Sequence, residues 1–411
     1  MSAEIAKSAE SAKMAENAKS TKAAKATRQS FGEAIVRLAE KNPNIVVMDA
    51  DLGKSTMTSA FMAKFPDRYF EMGIAEQNLI GTAAGLASAG KIQFATSFAC
   101  FIIGRYETIR MSVSYANTNV KLVGTHAGVG IGEDGNSQMG LEDMALLRSL
   151  PNFVLLQPSD DIEAQQAVEW AAQHNGPVYL RLTRQKLPNV HRESYKFQMG
   201  AGDILQSAAG AAGAGSMAMG QTALSASTGA ASGMTMGAAT GTAGAVAGDA
   251  GLAASVASVA AADAGQAALS ASTGAGSVAS AGSVSNARVR SLAVFATGGV
   301  VANALVAGQA LQAEGIPTTV VNLHTIKPID AKLILELAKT HSKFVTVEDH
   351  YVTGGLGSAV SEVLTDAGIS VPLLRHGVYN FGESGTPEGL YDKFNLSAPK
   401  LQKILQSFFQ S

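Results

Sequence analysis

Cysteine is almost absent. Cys100 is the only one in 411 residues, so no intrachain disulfide can form and the chain suits a reducing compartment such as the cytoplasm. Its setting in Ser97-Phe98-Ala99-Cys100-Phe101 predicts a buried small apolar residue and not a nucleophile. Net charge is nearly absent as well. At −2, with a pI near 6.4, the chain has no overall pull toward nucleic acid or an anionic membrane, and neither is expected as a partner. The seven histidines are scattered, without a close H-x-x-x-H pair, so no metal ligands are expected on this chain.

Two stretches lack what a packed core needs. Residues 2–25 repeat a six-residue unit, beginning Ser2-Ala3-Glu4-Ile5-Ala6-Lys7. At about 100° per helical residue, six residues advance roughly 240°, so the repeat spirals and builds no apolar stripe. Residues 1–25 are therefore expected to be a solvated tail, and without an apolar stretch or arginine they resemble no signal or transit peptide. Residues 207–287 contain no aromatic, proline, lysine, arginine or glutamate, and their only charges are Asp249 and Asp263. Alanine, glycine and serine bury too little apolar area to offset ordering entropy, so this segment reads as a flexible low-complexity insert. It lacks the dense Leu, Ile and Phe of a membrane span.

What is present is 46% hydrophobic content, enough for at least two cores at this length. Apolar runs at Ile45-Val46-Val47-Met48, Lys121-Leu122-Val123, Phe153-Val154-Leu155-Leu156 and Val178-Tyr179-Leu180-Arg181-Leu182 alternate with helical patterns, among them residues 78–89. The alternation returns at Leu292-Ala293-Val294-Phe295, Thr318-Thr319-Val320-Val321 and Phe344-Val345-Thr346-Val347. The expected fold class is α/β: two three-layer domains with mainly parallel sheets, at 26–195 and 288–411. Residues 196–206 form a linker ending in an edge strand, Gly202-Asp203-Ile204-Leu205-Gln206, and the insert stands in for a short hairpin turn. On the logarithmic law that lengthening costs only about 2 to 3 kcal/mol.

Gly73-Ile74-Ala75-Glu76-Gln77-Asn78 carries the most information. It sets one carboxylate among small residues and is followed by Gly81-Thr82-Ala83-Ala84-Gly85. Around it, in order, stand Ala26-Thr27-Arg28, Asp49-Ala50-Asp51-Leu52 with Ser55, Ser97-Phe98 with Phe101, Gly124-Thr125-His126, Gly132-Glu133-Asp134-Gly135-Asn136-Ser137-Gln138-Met139 and Leu182-Thr183-Arg184-Gln185. Lys327-Pro328-Ile329-Asp330, Val347-Glu348-Asp349-His350 and Gly354-Gly355-Leu356-Gly357 follow. This series resembles the pyrimidine-binding and C-terminal domains of transketolases. Gln138, Lys54 and Gly104 depart from the residues more usual in that family.

The resemblance implies a thiamine-diphosphate enzyme that moves a two-carbon ketol unit from a ketose phosphate to an aldose phosphate. It implies Glu76 as the activating acid on the cofactor's pyrimidine, with Asp51, Phe98 and Phe101 beside it. Arg28, Ser55 and Arg184 match phosphate-binding positions, and His126, Asp134 and Gln138 match positions near the sugar hydroxyls, with His126 also a proton carrier. The family's Gly-Asp-Gly segment for Mg2+ and diphosphate is not found. A second, N-terminal transketolase subunit is therefore expected to hold them, in a heterotetramer. Other readings are a split 2-oxoacid dehydrogenase E1 beta-like subunit, a deoxyxylulose-phosphate synthase-like subunit and a non-catalytic regulatory paralogue.

Overall fold

Short runs of β-branched and aliphatic residues build two sheets. A computed structural model describes residues 24–208 and 288–411; the repeat and the low-complexity insert lie outside the described residues apart from their ends. The strands are β1 Ile45–Asp49, β2 Tyr69–Glu71, β3 Ile92–Phe98, β4 Val120–Thr125, β5 Val154–Leu156, β6 Val178–Arg181, β7 Asp203–Gln206, β8 Val289–Ala296, β9 Thr318–Asn322, β10 Thr325–Lys327, β11 His341–Tyr351 and β12 Leu373–Val378. The first sheet has the order β10-β5-β6-β4-β3-β1-β2, and the second β12-β11-β8-β9-β7. Neighbours are parallel except β10 against β5 and β7 against β9.

Alternate residues of each strand serve opposite faces. Ile45 and Val47 pack with Phe31 and Ile35 of the helix Thr27–Lys41. Val46 and Met48 pack on the other side with Leu79, Ile80 and Ala83 of the helix Glu76–Ser88. In the second sheet Leu292 and Val294 face Leu311 and Leu401, whereas Ala293 and Phe295 face Ile334 and Val360. Helices thus cover both faces of both sheets, which bears out the expected class of two mainly parallel α/β domains. One core cluster joins residues of both sheets, and β10 reaches from the second half of the chain to pair with β5 of the first sheet.

Two expectations are corrected. The insert does not replace a hairpin turn: β7 and β8 are not neighbours, since both pair with β9, from opposite sides. Cys100 is only half-buried; burial, followed by the nearby Glu142 carboxylate, pushes its thiol up to about 12, which keeps it protonated.

Candidate active site

In an open parallel sheet the loops beyond the carboxyl ends of the strands form a crevice, and the singled-out residues collect there. Asp51 follows β1, Glu76 follows β2, Phe98 and Phe101 close β3, His126 follows β4 and Arg184 follows β6. Asp51 does not cap a helix. Asp49 shapes that turn instead, accepting from Leu52 N at 2.6 Å and from the hydroxyls of Thr56 (2.6 Å), Thr96 (2.7 Å) and Thr58 (3.1 Å). Asp51 is thereby held at φ 61° and exposed, its N–H donating to Glu71 Oε1 at 2.7 Å.

A cavity of about 490 Å³ is lined by Arg28, Leu52, Lys54, Ser55, Met57, Phe98, Phe101, His126, Asp134, Gln138 and Arg184. All six residues singled out for substrate contact therefore meet in one place. Arg28 lies at the start of its helix beside Thr27, whose hydroxyl accepts from Thr183 N at 2.8 Å, and this ties Arg28 to the segment carrying Arg184. Arg28 NH1 donates to Ser55 O at 2.6 Å and to His126 Nε2 at 3.1 Å. Arg184 NH1 donates to Ile131 O at 2.6 Å and pairs with Glu133 at 3.2 Å.

His126, at φ 57°, is buried. Burial, with the charges of Arg28 and Arg184 behind it, pushes its imidazole down to about 3. A guanidinium only donates, so Nε2 accepts and the ring proton sits on Nδ1, 2.9 Å from Thr125 Oγ1. Both nitrogens are engaged, so in this geometry the ring holds Arg28 and carries no free proton. Burial, then Arg184, holds the Arg28 guanidinium below its ordinary value, while Asp134 opposes that shift.

A second cavity, about 450 Å³, is lined by Ala50, Asp51, Leu52, Ile74, Glu76, Cys100, Phe101, Gly104 and Arg105. Leu52 and Phe101 are shared walls between the two cavities. Glu76 is 5% exposed at the first position of its helix. Its side chain's one hydrogen bond among the described residues comes from Ser97 Oγ to Oε1 at 3.0 Å. Glu76 and Arg105 also border a wider groove with Gln77, Asn78, Gly81 and Thr82. Phe98 does not line this second cavity with Asp51 and Glu76. It lines the first cavity, with its ring 3.7 Å from that of His126 and 5.5 Å from that of Phe101.

Three residues escaped the sequence reading as parts of the site: Lys54, noted there only as a departure, Arg105, and Ser97 as the partner of Glu76. Ser97 lay inside a quoted motif, but nothing in the sequence pairs it with a glutamate 21 positions earlier. Among the described residues no group of three or more His, Cys, Asp or Glu is placed to hold a metal ion.

Residues 23–190 match the family model "Transketolase, pyrimidine binding domain", and residues 286–401 match "Transketolase, C-terminal domain". Fold and site thus define a class, the pyrimidine-binding and C-terminal halves of a thiamine-diphosphate enzyme. The chain belongs to the transketolase family. It is 34% identical over 380 residues to a transketolase C-terminal section of Methanocaldococcus jannaschii, covering 92% of this chain and 94% of that one. It is 30% identical to a 6-deoxy-6-sulfo-D-fructose transketolase subunit of Clostridium sp. strain MSTE9, covering 91% of each. Among solved structures it resembles a split gene transketolase, an inactive beta4 tetramer, with TM-score 0.69, 34% identity and coverage of 94% of this chain and 99% of that one. It spans about half the length of the mammalian transketolases that it also matches.

The second cavity fits the heterocyclic half of the family's cofactor. Phe101 offers an aromatic face for a flat ring, and the buried Glu76 carboxylate keeps Oε2 without a hydrogen-bond partner among the described residues.

Proposed function

We propose that this chain is the C-terminal subunit of a split thiamine-diphosphate-dependent transketolase, transferring a two-carbon ketol unit between sugar phosphates. The observation that carries this reading is the meeting of Arg28, Ser55, His126, Asp134, Gln138 and Arg184 in one cavity, separated only by Leu52 and Phe101 from a cavity with a buried glutamate. When bound, thiamine diphosphate supplies a thiazolium that acts as the electron sink for cleavage beside a carbonyl.

This chain's residues do the rest. Glu76, fixed through Ser97, presents its carboxyl group to the pyrimidine ring, while Phe101 offers its face and Asp51 the edge of that cavity. Arg28, Arg184 and Ser55 hold the sugar phosphate; two guanidinium forks and a hydroxyl suit that anion. His126 keeps Arg28 turned into the cavity, and Asp134 and Gln138 meet the sugar hydroxyls. Mg2+ and the diphosphate are assigned to an N-terminal partner subunit, in a heterotetramer. The kinship with a split gene transketolase and with a transketolase C-terminal section supports that division.

The test is Glu76→Gln in the chain assembled with its partner. Assembly should be kept, whereas turnover and exchange of the thiazolium C2 proton should both fall by about 10²- to 10⁴-fold. Unaltered exchange would mean that Glu76 is a structural residue and that the activating acid lies elsewhere.

A further inference from the structure

The larger number of named residues in the first cavity already has work to do; Lys54 does not. It sits in the short helix Gly53–Thr56, in the turn that Asp49 anchors, directly before Ser55. Its side chain lines the cavity and is exposed, with no hydrogen bond or ion pair among the described residues. The other two cations are committed: Arg28 to Ser55 O and His126, and Arg184 to Ile131 O and Glu133. Two carboxylates, Asp134 in the lining and Glu133 at the rim, stand against those two arginines. The charge that leaves the cavity positive is therefore that of Lys54.

We infer that Lys54 is a specificity-determining residue, which takes the second negative charge of a phosphate monoester and so favours a sugar phosphate over the same sugar bearing a sulfonate. The inference rests on the first cavity being the substrate cavity proposed above. A phosphate monoester carries between one and two negative charges near neutrality, with a second pKa of about 6, whereas a sulfonate carries one. Two partly engaged arginines suffice for a single charge. A lysine ammonium on a flexible stem is a mobile point charge that can close on the second. A hydrogen bond to a charged group is worth about ten- to a hundredfold in affinity. Kinship with a subunit acting on 6-deoxy-6-sulfo-D-fructose makes the phosphate–sulfonate choice a live one within the family.

Fructose 6-phosphate and 6-deoxy-6-sulfofructose are matched probes. Their binding is measured by calorimetry on the full chain with its partner subunit, for the wild type, Lys54→Met and Arg184→Ala, from pH 5 to 7.5. The wild type should prefer the phosphate, increasingly as the phosphate loses its second proton; His126, held near 3, stays neutral throughout. Lys54→Met should weaken the phosphate about ten- to a hundredfold and flatten its pH dependence, with the sulfonate almost unaffected. Arg184→Ala should weaken both. If Lys54→Met shifts neither ligand, or both equally, while Arg184→Ala weakens both, the inference falls and the substrate cavity stands. If Arg184→Ala is also without effect, or the wild type binds neither probe, the cavity assignment falls and takes the inference with it.

Discussion

At the first turn of a helix, unpaired N–H groups and the macrodipole favour a carboxylate, and Glu76 occupies that position for an ordinary local reason. What distinguishes it is burial beside a cavity with a single hydroxyl as its partner. Ser97 is held in turn as an interior residue of β3, so the orientation of the acid depends on a strand and not on a loop. Ser97→Ala removes that hydrogen bond. It should lower turnover of the assembled enzyme about tenfold, the upper worth of one ordinary hydrogen bond, with the unfolding midpoint nearly unchanged. Steady-state kinetics beside a thermal melt check this, and wild-type turnover would show that Ser97 does not orient Glu76. The residue types of the site were legible in the sequence, because each stood in a short motif. Their pairings were not: Arg28 with His126 and Glu76 with Ser97 span 98 and 21 positions, and only the sheet brings them together.

Elements with an unbroken apolar run, such as β1, β5 and β8, were legible as strands. β3 was missed. Its sequence, Ile-Gln-Phe-Ala-Thr-Ser-Phe, mixes polar residues into a strand buried almost throughout, and two of these find side-chain partners inside, Thr96 on Met48 O and Asp49 and Ser97 on Glu76. β7 marks another limit, since pairing partners come from topology and not from the strand's own residues. The segment before β7 is fastened by His191, whose Nδ1 lies 2.9 Å from Asp160 and whose Nε2 lies 3.3 Å from Asp203 in β7, with Glu163 and Tyr195 close by. Burial opposes the charge on His191, but the contacts with Asp160 and Asp203 outweigh it and raise the imidazole to about 10. Because this lies above the ordinary value near 6.5, the contribution to stability is complete below about pH 6.5 and is lost as pH rises toward 10. Lys121, lowered to about 7 by burial, titrates in the same window with the opposite sign, so the informative quantity is the difference between wild type and His191→Gln. Melting midpoints from pH 6 to 10.5 should converge as pH rises. A constant gap would show that His191 is not charged in the folded protein.

At the scale of the whole molecule, the second sheet contributes no lining residue to either cavity, yet it braces the first. Arg181, at the end of β6, is buried between Asp143 (2.9 Å) and Asp349 of β11 (2.7 Å), and Asp349 also accepts from Tyr391 and Gln157. The loop carrying Asp134 and Gln138 is held through Asn136 Oδ1, which accepts from Gly382 N at 2.6 Å. One side of the site is less enclosed. Ile74, 85% exposed, stands on the wall of the glutamate cavity, and Glu76 opens also onto the wider groove. On the function proposed above, an apolar wall open to solvent at this cavity fits a site completed by another chain. The central claim is therefore best tested by assaying the purified chain for thiamine diphosphate binding and ketose-phosphate turnover, first alone and then mixed with the N-terminal subunit. The account predicts neither activity alone and both on mixing, in a complex of two copies of each chain; full turnover by the chain alone would contradict it.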